Sequence, residues 1–90
     1  MMSDATPDEG AASPCRSVIE VVARALVDQP DAVSVTETQR RGMSVLELRT
    51  APGDMGKIIG RQGRTATALR TLLAVTAERY GTRAQLDISD

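Results

Sequence analysis

Gly56-Lys57-Ile58-Ile59-Gly60-Arg61-Gln62-Gly63-Arg64 is the stretch on which the reading of this chain turns. Three glycines, three cations and an Ile pair fall within nine residues, and no acid occurs from Met55 to Ala77. The stretches on either side read as helices, so Gly60-Arg61-Gln62-Gly63 is a turn between two of them. Taken alone, Gly-x-x-Gly does no more than permit a tight turn. With Lys57, Arg61 and Arg64 in and beside it, the turn suits a phosphate backbone. Glycine at both ends removes two Cβ atoms and lets a ligand backbone approach. The turn also feeds the start of the next helix, where free N–H groups and the helix dipole favour anions. Ile58 and Ile59 stand about 100° apart around a helix, so one can pack inward while the other floors a groove.

Outward from this turn, Arg64 to Tyr80 is the longest periodic stretch, with Ala66, Leu69, Leu72, Leu73, Thr76, Ala77 and Tyr80 as its expected inner stripe. Gly81 ends it as a natural C′ residue. Thr82 to Ser89 then alternates as a strand, with Ala84, Leu86 and Ile88 inward. On the other side, Ala51-Pro52-Gly53 breaks a strand, and Asp54 is expected to cap the short helix Met55 to Ile59. Two alternating runs precede it, Ala32 to Arg40 and Met43 to Thr50, joined at Arg41-Gly42 as a hairpin with one buried face. The first helix is expected from Pro14 to Asp28, capped by Ser13, with Val18, Ile19, Val22, Ala25 and Leu26 as its apolar stripe. Residues 1–13 are polar, without periodicity, and read as a disordered tail; 14–90 read as one domain. The order is helix–strand–strand–helix–helix–strand. This is an α+β fold, a three-stranded sheet packed against three helices.

Composition limits the function. The chain has 90 residues and a net charge of −1, so bulk charge does not mark a nucleic-acid binder; the clustered cations can still hold anions locally. There is no His, and the single cysteine, Cys15, reads as a bland reduced thiol at the edge of the tail, without a base partner. Asp and Glu are scattered without metal-ligand clustering, so no metal, cofactor or catalytic group is expected. No signal-peptide pattern or membrane-length apolar run occurs, which suggests the cytoplasm. Two phosphate-loop readings fail on spacing. A Walker loop needs Gly where position 51 is Ala and Ser or Thr where Ile58 follows Lys57, and Gly-x-Gly-x-x-Gly is absent.

The string Gly56 to Gly63 resembles the signature of the KH domain, whose Gly-x-x-Gly loop joins two helices, and the element order resembles its type II form. The match is closer still to the small single-KH bacterial RNA-binding proteins of the KhpA family, over about Val21 to Asp90. It includes Leu26-Val27-Asp28-Gln29-Pro30, Val35-Thr36-Glu37 and Asp54 to Arg64. The resemblance implies that Gly60, Arg61, Gln62 and Gly63 clamp the backbone of about four unpaired nucleotides of single-stranded RNA. Met55, Gly56, Ile58 and Ile59 would line one wall of the groove. Ala84, Gln85 and Leu86 would form the other wall, reading base edges with their backbone, while Lys57 and Arg64 attract phosphate. Scarce aromatics agree, since base-stacking sheets need exposed rings and Tyr80 is the one aromatic residue.

The long helix has a second surface of Ala68, Thr71, Leu72 and Val75, an expected dimer contact. The resemblance implies a homodimer, or pairing with a larger KhpB (Jag)-type RNA-binding protein. It also implies an RNA chaperone or post-transcriptional regulator, with links to cell shape and cell-wall biogenesis.

Overall fold

The computed structural model describes residues 13–90. The expected tail, residues 1–13, lies outside them but for Ser13. Helix α1 (Pro14–Leu26) starts where the sequence predicts: Ser13 Oγ accepts from the Arg16 N–H at 3.1 Å, and proline occupies the first turn. The helix ends short of Asp28, because Val27 is already extended ahead of a 3₁₀ turn at Pro30–Ala32. The buried stripe is Cys15, Ile19 and Ala23, with Val22 half-buried beside it, whereas Ala25 and Leu26 are exposed. Cys15 is therefore in the core and not at the edge of a tail. Burial, reinforced by the nearby Glu37 carboxylate, pushes its thiol above the ordinary range. The neutral, buried thiol is a packing group.

Strands β1 (Ser34–Arg40) and β2 (Met43–Arg49) pair antiparallel across Arg41-Gly42. Both turn residues have positive φ, 50° and 78°, the geometry whose twist matches that of the flanking strands. The expected alternation holds. Val33 and Val35 are buried, as are Ser44, Leu46 and Leu48 on β2, and buried Ser44 accepts from the Gln39 amide at 2.8 Å. Strand β3 (Arg83–Ser89) pairs parallel with β2, giving the order β1-β2-β3 with β3 at an edge. A parallel neighbour needs a long crossover, here supplied by helices α2 (Met55–Ile59) and α3 (Arg64–Arg79).

The three helices cover one sheet face. Ile19 of α1, Leu46 and Leu48 of β2, Ile58 of α2 and Leu73 of α3 are the largest fully buried side chains. On α3 the buried stripe is Ala66, Leu69, Leu73 and Ala77, narrower than expected. Leu72 falls about 100° from Leu73, off that stripe, and is 38% exposed. Tyr80 would fall in phase, but the helix has ended at Arg79 and its ring is 60% exposed. The ending is the one Gly81 predicts: Thr82 N–H donates to the Ala77 carbonyl at 2.9 Å and Gly81 N–H to Glu78 at 3.1 Å, with Gly81 at φ 72°.

Candidate nucleic-acid interface

Helix α2 is too short to hold itself, so its position depends on tertiary ties. Ile58 is fully buried and pins it to the core, while Met55 and Ile59 stay partly exposed. Of the expected groove wall, then, Ile58 packs behind the surface and Met55, Gly56 and Ile59 reach it. Asp54 does not cap α2 with its side chain; it is buried and its Oδ2 accepts from the Gln29 N–H at 2.9 Å. The carboxylate thereby ties the α1–β1 connection to the start of α2. Lys57 turns the same way, its Nζ 3.2 Å from Asp28 Oδ2 and 3.8 Å from Asp54 Oδ1. Its charge is shared with two carboxylates before any phosphate arrives.

The turn itself uses its two glycines differently. Gly60 lies at φ 77°, ψ 171°, a region essentially closed to other residues. A Cβ there would stand 2.6 Å from Thr65 Cβ and 2.9 Å from the Thr65 N. Its bareness is spent on the protein's own next helix. Gln62 and Gly63 follow in left-handed geometry, at φ 58° and 71°, and Gly63 N–H closes the turn onto the Gly60 carbonyl at 3.1 Å. Nothing lies within 4 Å of a Cβ built on Gly63 or on Gly56. In and beside the turn, these are the glycines whose missing side chains leave open space, as they do at Gly42, Gly53 and Gly81 elsewhere in the fold. Arg61, Gln62 and Arg64 are exposed, and none enters an ion pair among the described residues.

Across from the turn, α3 runs against β3. Arg70 Nε and one terminal nitrogen both donate to the Leu86 carbonyl at 3.3 Å. That carbonyl therefore points away from β2. Because neighbouring residues on a strand face opposite edges, Ala84 and Ile88 also present their N–H and C=O groups outward. The Thr50 N–H meeting the Ser89 carbonyl at 3.3 Å fits this alternation from the β2 side. A recess of about 300 Å³ lies here, lined by Met43, Arg70, Leu73, Ala84, Gln85 and Leu86. Of the expected second wall, Ala84 offers an outward backbone, Leu86 has its carbonyl engaged by Arg70, and Gln85 turns its amide to Asp87 Oδ1 at 3.2 Å. Arg70 lines this recess, a placement that local reading missed. It stands in the acid-free run, but only the packing of α3 on β3 brings it to the strand edge. Arg64 and Arg70, six residues apart, are about 120° apart around α3, so they do not share a face.

The expected dimer surface of Ala68, Thr71, Leu72 and Val75 forms one exposed patch on α3, with Val75 58% exposed.

Comparison with known proteins finds relatives along most of the chain. The family described as KhpA/KhpB, KH domain, matches residues 16–88. The chain is 49% identical to the RNA-binding protein KhpA of Treponema pallidum over 73 residues, 81% of this chain and 91% of that one. It is 43% identical to the RNA-binding protein KhpA of Aquifex aeolicus, over 84% of this chain and 96% of that one. Among solved structures, Aquifex aeolicus Era superposes with a TM-score of 0.60 at 15% identity, covering 98% of this chain and 35% of that one, a likeness of fold.

Proposed function

The chain belongs to the KhpA/KhpB KH-domain family, and from that premise we propose that it binds single-stranded RNA between the Gly60–Gly63 turn and the free edge of β3. The relatives named above are RNA-binding proteins. The observation that carries the reading is the asymmetry of the turn: Gly60 serves the fold, while Gly56 and Gly63 leave open space beside Arg61 and Arg64, which are exposed and enter no ion pair among the described residues. Phosphates approach the turn there, and bases lie over Ile59 toward the outward backbone of Ala84. Residues 14–90 act as one KH unit, by binding and without catalysis, in the manner of an RNA chaperone or post-transcriptional regulator. A single groove makes few contacts, so affinity is modest and falls with salt.

Gly56→Ala tests this directly. Gly56 is exposed, its φ is ordinary and its Cβ position is empty, so alanine should stabilise α2 by about 0.5–1 kcal/mol. Titration of a labelled, unstructured oligoribonucleotide should nevertheless show weaker binding, about five- to tenfold for one lost close approach. Unchanged affinity, or equal competition by duplex RNA, would remove the groove assignment.

A second use of the fold rests on the exposed α3 patch, where Leu72 and Val75 face solvent. The patch supports pairing with a second copy or with a larger KhpB-type chain, which would raise avidity for RNA. Val75→Arg should then lower the solution mass measured by light scattering while leaving RNA contact by the monomer intact. The same mass for both chains would dismiss this face as the interface.

A further inference from the structure

A second cluster of cations lies away from the Gly-x-x-Gly turn. The register aligns Arg40 of β1 with Met43 of β2, and Met43 with Arg83 of β3, so one row across the whole sheet reads Arg-Met-Arg. Arg41, in the hairpin turn, stands beside it at φ 50°. These four residues line a surface recess of about 550 Å³. All three arginines are exposed, and none enters an ion pair among the described residues. The carboxylates of the same sheet face are engaged elsewhere: Glu47 meets Arg49 at 3.4 Å, and Asp87 takes the Gln85 amide. Glu78 lines the neighbouring recess with Arg83 but does not pair with it. The sheet is thus polarised, with its positive end at the hairpin. Three like charges gathered without a counter-charge among the described residues repel one another, which is what an anion site looks like before its anion arrives.

We propose that Arg40, Arg41 and Arg83 form a second phosphate-binding station, which carries an RNA strand onward after it leaves the groove. The proposal rests on the RNA reading of that groove. Two observations join the two places. Met43 lines both this recess and the one between Arg70 and Leu86. The chain path also sets them in series: α3 begins at the turn and runs along β3, and β3 begins at Arg83. Arg40 and Arg83 sit on outer strands with β2 between them, so their backbones are about 10 Å apart. A linear polyanion can bridge that distance with one phosphate at each guanidinium. Arginine's planar fork then meets each phosphate with two hydrogen bonds.

The test compares unstructured oligoribonucleotides of about four and about twelve nucleotides, the shorter filling only the groove. The chain carrying Arg40→Gln, Arg41→Asn and Arg83→Gln keeps its melting temperature, since all three side chains are exposed and asparagine accepts a left-handed turn position. It should bind the short RNA within about twofold of the unaltered chain. It should bind the long RNA about tenfold more weakly at about 50 mM salt, with the slope of log affinity against log salt reduced by about 2, or about 0.7 per lost contact. Unchanged long-RNA affinity and slope overturn the proposal, and so does an equal loss on both lengths, which would be a general field effect. Arg61→Asp with Gln62→Asp, run in parallel, reports on the groove alone. If that chain binds both lengths normally, the groove reading falls, while a length-dependent loss in the arginine variant still assigns these arginines their RNA contact.

Discussion

Arg61→Asp with Gln62→Asp should leave the circular dichroism spectrum and melting temperature near those of the unaltered chain and abolish retention of single-stranded RNA, a loss of at least about a hundredfold. The fold tolerates the change for local reasons. Both side chains are exposed, and Arg61 makes no ion pair among the described residues. Gln62 already holds φ 58°, a conformation that aspartate adopts more readily than most residues. Binding does not tolerate it. A hydrogen bond from a charged group contributes about 1.5–3 kcal/mol. Removing it and placing two carboxylates where phosphates should lie adds repulsion to the loss, and about 3 kcal/mol is already more than a hundredfold in affinity. The net charge of −1 works in the same direction, because the chain as a whole carries no excess of cations to offset the two added carboxylates. Filter retention at low salt measures it. Retention within a fewfold of the unaltered chain would sink the assignment of this turn.

Gly60→Ala acts on the opposite quantity. At φ 77°, ψ 171° a side chain costs about 1–3 kcal/mol in backbone strain alone. The added methyl also meets Thr65 Cβ at 2.6 Å and the Thr65 N at 2.9 Å, and the latter is backbone in the first turn of α3 that cannot step aside. A total of about 3–4 kcal/mol is expected, which for a domain of this size lowers the melting temperature by about 15–20 °C. Gly63→Ala is the control. Its φ of 71° carries strain but its Cβ position is open, so about 1 kcal/mol and a shift near 5 °C are expected. Thermal melts of the two chains separate the roles. Equal shifts would show that the Thr65 contact is not what demands glycine at position 60. For RNA the order reverses in meaning: any weakening by Gly63→Ala arises in the site, while weakening by Gly60→Ala follows from a displaced turn.

Much of this molecule is decided by neighbours in the chain. Ser13 before Pro14 starts α1, Gly81 ends α3, Arg41-Gly42 closes the hairpin, and strict alternation assigns the buried faces of β1, β2 and β3. Each depends on a backbone angle or a period that a few consecutive residues impose wherever they occur, so each is legible in the sequence. The Gly-x-x-Gly turn belongs to the same class. Its two glycines meet a local demand for positive φ, and Arg61 and Arg64 enter no ion pair among the described residues.

Other features needed residues far apart in sequence to meet. Which Ile of the pair goes inward depended on where α2 docks, and Ile58 won. Lys57 looked like a free cation until folding set it against Asp28 and Asp54. Cys15 became core because α1 packs with that side down, and Tyr80 stayed outside because α3 stops one residue too early. Arg70 reaches the Leu86 carbonyl across the crossover, and Arg40 and Arg83 become one patch only through the register of three strands. Periodicity along a chain states which side of an element is apolar. It carries no information about which charged group on another element that side will face, and that is settled only when the sheet order and the docking of the helices are set.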